Sequence, residues 1–296
     1  MSTFTAVDLS RLPAPAIVEP IDYEVILADM VADLRARDPQ FTALAESEPA
    51  YKLLEVAAYR EMQVRQRCNE AARAVMLAYA GGADLDQLGA LLGVTRLQLD
   101  PGNPAQSIPP TLESDLEFRR RIQLAPEGFS VAGPEGAYIF HALSADPGVL
   151  DASATSPTPG EVVVTVLARA GDGTASVALV NAVATKLADD AVRPLTDHVT
   201  VQAATIVPYA LNATVYTYAG PDSALVLAES QRRLERYVEE SHRLGRDVPL
   251  SGIYSVLHSE GVQRVEITSP AAGLVIDRTQ ASWCSSITIV AGGVDE

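Results

Sequence analysis

The sequence predicts an α+β fold: an N-terminal helical arm with one long amphipathic helix, followed by two small α+β modules. Three observations carry that expectation. Apolar residues recur every three or four positions through the first third of the chain, the spacing of a one-sided helix. At Val149 the period changes to alternation, the signature of half-buried strands. Each alternating stretch after that point leads into a further helical one, so helices must cover sheet faces. The expected divisions are residues 1–95 (extended arm and helical region), 96–148 (linker and short helices), 149–208 (first module) and 209–296 (second module).

In chain order, Pro13, Pro15 and Pro20 surround Ile17 and Val18, and proline's fixed φ and missing amide make residues 1–20 an extended arm. From Asp22 to Arg37, Tyr23, Leu27, Met30 and Leu34 share one helix face, and Asp38-Pro39 ends it. The clearest signal follows: Tyr51, Leu54, Ala58, Met62, Arg65, Cys68, Ala72, Val75 and Tyr79 step by three or four. A helix from Pro49 to Ala80 at about 1.5 Å per residue would approach 50 Å, with a heptad-like seam that wants partner helices. Those partners lie within the chain or in another molecule. Asp84 can cap a short helix carrying Leu85, Leu88, Leu91 and Leu92 before Gly93.

Arg96 to Pro110, with Pro101, Gly102, Pro104, Pro109 and Pro110, reads as a linker or exposed loop. Ser114-Asp115-Leu116-Glu117 is a capping box before a helix with Phe118 and Ile122 on one face, and Pro134 starts another. Leu150, Ala152 and Ala154, a Pro157-Thr158-Pro159-Gly160 turn and Val162 to Leu167 form a hairpin. A helix with Val177, Val180, Ala184 and Leu187 and a strand from His198 to Gln202 complete the first module. The second starts with the alternating stretch around Leu211–Tyr218. Asp222 caps a long helix toward Arg243, Ser251 caps a short one, and strands Val262–Thr268 and Ser285–Val290 close the module.

Composition narrows the function. The 296 residues are 48% hydrophobic and 20% charged, too apolar for a disordered chain. The net charge of −16 opposes nucleic acid and anionic membranes as partners. Of 22 basic residues all but Lys52 and Lys186 are arginine, and the groups Arg119–Arg121 and Arg232, Arg233 and Arg236 read as solvated helix faces or clamps for acidic partners. Two distant cysteines, Cys68 and Cys284, form no disulfide framework. The N-terminus carries Asp8 where a secretory leader would be apolar.

Catalytic and metal-binding patterns are weak. Gly128-Phe129-Ser130-Val131-Ala132 approximates a nucleophile elbow but lacks its final glycine and preceding strand. His141, His198, His242 and His258 are scattered without a zinc-ligand spacing. Asp84/Asp86 and Asp189/Asp190 sit where helix capping explains them, and no phosphate-binding glycine motif occurs. No catalytic, cofactor or metal residue is therefore assigned. The expected partner-binding residues are the helix seam: Tyr51, Leu54, Ala58, Met62, Ala72, Val75 and Tyr79.

The runs from Glu48 to Glu61 and from Asn69 to Ala80 resemble the N-terminal helices of the baseplate J-like assembly proteins of contractile-tail phages. Gly81, Asp84, Leu85, Leu88 and Gly93 resemble that family's helix-cap segment, and Gly128-Phe129-Ser130 through Gly133–Tyr138 its central connector. Ser156–Val162, Val192–Asp197, Gly245-Arg246-Asp247 and Gly261–Val265 extend the resemblance over nearly the whole chain. It implies a non-enzymatic baseplate wedge component without cofactor, made in the host cytoplasm and located in the tail. Its implied partners are further copies, other wedge proteins, hub, tube and sheath-initiating proteins, and a fibre-bearing protein. A serine hydrolase built on Ser130 and an adaptor unrelated to tails are the competing readings.

Overall fold

The computed structural model describes residues 9, 12–13, 21–219 and 223–294. The expected N-terminal arm and the Asp222 cap lie outside them, apart from isolated arm positions. Residues 21–96 with Ser114–Arg119 form one compact unit, and residues 97–113 with 120–294 form another.

In the helical unit, α1 (Tyr23–Arg37) starts on Asp22, whose carboxylate accepts from the amides of Glu24 and Val25 at 2.9 and 3.3 Å. Helix α2 (Pro49–Ala74) begins on a proline that gives up no needed amide. It is shorter than its side-chain period predicts, about 39 Å rather than nearly 50. Beyond Ala74 the chain turns, with the amides of Tyr79 and Ala80 both donating to the Met76 carbonyl at 2.9 and 2.8 Å. Arg119 fixes this turn by donating to the carbonyls of Leu77 and Ala80 at 2.7 and 2.6 Å.

Helix α3 (Gly82–Leu91) corrects a second expectation. Asp84 is not its cap: the Gly82 amide donates to Asp115, 3.1 Å away. That amide, ahead of the neighbouring arginines, holds the Asp115 carboxyl below its usual range. Arg96 bridges Asp115 and Asp86 at 2.8 Å each, with its guanidinium over the Phe118 ring. A Cβ on Gly89 would come within 2.5 Å of that ring, so glycine is what lets α3 approach it.

In the second unit, β1 (Gln98–Asp100) and β2 (Thr111–Leu112) pair across the segment expected to be a plain loop. Helix α4 (Asp115–Gly128), whose residues up to Arg119 count with the helical unit, starts as its capping box predicts, Ser114 Oγ accepting from the Glu117 amide at 3.3 Å. Beside β2, the buried Glu113 takes two parallel 2.8 Å bonds from Arg121.

The first module contains α5 (Glu135–Ala145), β3 (Val149–Thr155), β4 (Glu161–Ala168), α6 (Val177–Leu187) and β5 (His198–Ala203). Strand β4 pairs antiparallel with β3 and parallel with β5, and α5 and α6 bury Ile139, Ala142, Val183 and Leu187 with Val164 and Val166. The second module contains β6 (Thr205–Thr217), α7 (Ser223–Ser241), α8 (Leu250–Leu257), β7 (Val262–Ser269) and β8 (Gln280–Val294). Its sheet order is β7-β6-β8, with β8 parallel to β6. Leu211, Ala213 and Val215 face Leu234, Ile253 and Leu257 of α7 and α8. Ser251 lies inside α8, which begins after Pro249 with no side-chain cap, and β8 is longer than expected at both ends.

One buried carboxylate joins the two modules. Asp151 of β3 accepts from Arg120 Nη2 at 2.8 Å and from the Ala152 amide at 2.9 Å. Its other oxygen accepts from the Leu244 amide of the second module at 3.0 Å. Nearby, Ser153 donates to the Arg278 carbonyl, Arg278 pairs with Glu135, and Leu167, Ala204 and Ala281 form a small apolar cluster. The three consecutive arginines 119–121 therefore hold the chain's own carbonyls and carboxylates, Arg121 buried and Arg119 and Arg120 partly exposed, rather than forming a purely solvated face. Asp151→Ala removes the acceptor of two amides and a guanidinium and is expected to cost about 3 kcal/mol. Urea unfolding checks this as a lowered midpoint at unchanged slope, with Asp151→Asn intermediate because one oxygen acceptor survives.

Candidate interaction surface

The seam residues divide into two groups. Tyr51, Leu54, Ala58 and Met62 pack against Tyr23, Ile26, Leu27, Met30 and Val31 of α1, so the first half of the stripe is used inside the chain. Ala72 is half-buried and Val75, just past the end of α2, is 71% exposed. Tyr79 lies in the turn and donates from its hydroxyl to the Leu12 carbonyl at 2.9 Å. The structure thus brings four of the seven together and leaves three apart.

A second apolar face of α2 escapes the seam count. Leu53, Val56 and Val64 are 71, 60 and 61% exposed. With Ala57, Cys68 and Ala71 they lie on the side of the helix opposite Tyr51 and Ala58, since 100° per residue puts positions 53, 57, 64, 68 and 71 within one stripe. Arg60 and Arg67 interrupt this stripe, and its alanines weaken the apolar signal; the spacing of Leu53, Val56 and Val64 was the available clue. Exposed Leu and Val sharing one side of a helix are costly to keep wet, which makes this stripe the candidate contact face.

The candidate chemical groups do not assemble. Ser130 follows α4 rather than a strand, and its hydroxyl accepts from the Ala132 amide at 3.3 Å, a local turn. His242 sits with Nδ1 2.6 Å from the Ser282 carbonyl and its ring edge-on to Trp283. Burial lowers the pKa of His141, opposed by a backbone hydrogen bond at Gly128. Burial likewise pushes the Cys284 thiol up, and both cysteines are free. Among the described residues no three His, Cys, Asp or Glu side chains gather as a metal site, and no helix is long and apolar enough to cross a membrane.

What the described residues present is helical and strand surface on a braced scaffold, the class of an assembly protein. The chain belongs to the baseplate J-like family. It is 50% identical over 300 residues to Baseplate protein J of Escherichia phage P2, covering 98% of this chain and 99% of that one. The family's N-terminal domain matches residues 46–103 and its central domain residues 130–203. The central match spans α5 to β5, the first module. The chain is accordingly a structural baseplate protein. Among solved structures, the cryo-EM structure of the anti-feeding prophage baseplate, 6-fold symmetrised, aligns with TM-score 0.39 and 13% identity over 61% of this chain and 44% of that one. That likeness is too loose for comparison element by element.

Two predictions follow from the side-chain placement. Met62→Asp sets a charge against α1 and is expected to destabilise the chain by about 2 kcal/mol, whereas Val64→Asp, on the free face, stays within about 0.5 kcal/mol; thermal or urea unfolding separates them. The folded-state pKa of His141 is depressed below 6.5, so the unfolded chain takes up a proton first as pH falls. The neutral ring's contribution is complete above the unfolded value and is lost as pH drops through the folded one. Wild type is therefore expected to lose more stability than His141→Gln between pH 7.5 and about 5.5, in matched urea titrations.

Proposed function

We propose that this protein is a wedge component of a contractile tail or tail-like particle, acting through interfaces rather than chemistry. The 50% sequence identity to the phage P2 Baseplate protein J over nearly the whole of both chains is the observation that carries the reading. In this role copies stand around a six-fold baseplate and join the hub and tube to the sheath and to fibre-bearing proteins. The protein is made in the bacterial cytoplasm and works in the tail.

The helical unit supplies the first contact. Once α1 has covered Tyr51 to Met62, the stripe of Leu53, Val56 and Val64 faces outward, continued by exposed Ala71 and Val75, with half-buried Ala72 and exposed Tyr79 at the same end. A partner helix laid along it removes from water several large side chains that the isolated chain leaves wet, at about 25 cal/mol per Å² of apolar area. Transmission of a contraction signal requires two alternative packings a few kcal/mol apart, one of them favoured by the trigger.

The test is complementation in cells lacking the gene, read by electron microscopy. Wild type restores sheathed tails. Leu53→Asp with Val64→Asp is expected to fold normally by circular dichroism, fail to co-purify with other baseplate proteins and restore few or no tails. Normal tails without any copy of the gene would sink the wedge role, and normal tails with the double variant would remove the helix stripe from it.

A further inference from the structure

At one end of the first module two loops meet and hold three large apolar side chains in water. The connector between α4 and α5 carries Phe129 and Val131, 65 and 74% exposed, and the turn between α6 and β5 carries Leu195, 96% exposed. Single exposed apolar residues are ordinary on any surface. These three belong together because their loops touch: a Cβ on Gly133 would come within 2.7 Å of both Pro194 and the Asp197 carboxylate. Backbone pairing brings the β3–β4 turn to the same end, the His198 amide donating to the Gly160 carbonyl at 2.7 Å.

Neither loop is slack. The Tyr138 hydroxyl of α5 donates to Asp197 Oδ2 at 2.7 Å, and burial together with that hydrogen bond holds its proton well above the usual phenol range. The Asp197 amide donates to the Pro194 carbonyl at 3.2 Å and Arg193 Nη1 to the Asp197 carbonyl at 3.3 Å, closing the turn around Leu195. In the connector, the Phe129 amide donates to the Pro126 carbonyl and the Ala132 amide to Ser130 Oγ, at 3.3 Å each. Apolar side chains on loops tied in this way are already ordered, so a partner gains their burial without the ordering cost that a slack loop imposes. Phe129 is also the aromatic type that anchors contacts.

We propose that this end of the first module docks a different baseplate protein, one that presents an apolar side chain ringed by lysine or arginine. Charge selects that occupant. The turn that carries Leu195 also carries Asp189, Asp190, Arg193 and Asp197, with Lys186 in the last turn of α6 before it and Glu161 paired opposite His198 just after it. Acids thus outnumber bases around the apolar centre, on a chain whose net charge is −16. A second copy would set these acids against themselves, whereas a basic rim finds a carboxylate on several sides. The proposal rests on the baseplate reading above and concerns a surface in the other unit from the α2 stripe.

The test places the photoreactive residue benzoylphenylalanine at position 195 of a full-length complementing copy. Cells are irradiated during tail assembly and the adducts identified by mass spectrometry. Position 195 is expected to join another baseplate protein next to a lysine- or arginine-bearing stretch. Phe129→Ser with Val131→Ser removes the apolar centre, and Glu161→Lys with Asp190→Lys reverses the rim; each pair should cut the adduct yield per chain about fivefold or more. Circular dichroism and the thermal midpoint of both purified double variants should match those of the parent chain. Adducts only to this chain's own peptides, no adduct, or an undiminished yield from either double variant each overturn the proposal. Tails that form without the gene sink the baseplate reading and this proposal with it, whereas tails that need the gene but give no adduct at position 195 sink this proposal alone.

Discussion

A carboxylate buried between two sheets has to be answered, and the way Asp151 is answered organises the larger unit. Its three donors come from α4, from its own strand and from the turn after α7. None can move without leaving a charge in a poorly solvated place. Each module alone is a three-stranded sheet with a few helices, a size at which one core gives little margin. Sharing the apolar cluster of Leu167, Ala204 and Ala281 beside Asp151 lets the modules stabilise each other. Close packing at this seam reaches Gly173, whose φ is +95° and whose hypothetical Cβ would meet Leu167 and the His242 ring, so both conformation and space demand glycine there.

The architecture was legible because side-chain period is local. The change to alternation at Val149 and the Ser114 capping box appear in the structure where the sequence puts them. What was not legible depends on residues far away. The spacing of Val75 and Tyr79 continues the α2 stripe, yet the backbone turns after Ala74 because Arg119 takes the carbonyls of Leu77 and Ala80. Asp84 has the composition of a cap and loses the position to Asp115, which arrives from another helix. A run of three arginines looks solvated until partners at long range are known.

The same distinction separates the parts of the contact surface. Tyr51, Leu54, Ala58 and Met62 were identifiable as a packing face, but the face does not say whether its partner is internal, and α1 proves to be the partner for these four. The opposite stripe is broken by Arg60 and Arg67, so a count of apolar spacing ranks it below the one already satisfied. In β8 the extra residues Ser285 and Gly292 shift the alternation by one place each. The bulges interrupt the alternation on both sides of the expected Ser285–Val290 strand, whereas the backbone runs for 15 residues.

Net charge explains where a chain of this kind can touch its neighbours. At −16, free copies repel one another, and the repulsion is felt over about 8 Å at physiological salt. Contacts between copies are therefore least opposed where the charge is absent or already neutralised. In the helical unit, Lys52–Glu55, Glu61–Arg65 and Arg67–Glu70 pair along α2, while Arg60, which donates to the neutral Gln63, keeps a positive charge among its exposed leucine and valines. In the second module, β8 has no charge to neutralise, while Glu229–Arg232 on α7 keeps its ions paired in water. Repulsion between like-charged copies opposes random aggregation and favours contacts at surfaces that carry little net charge.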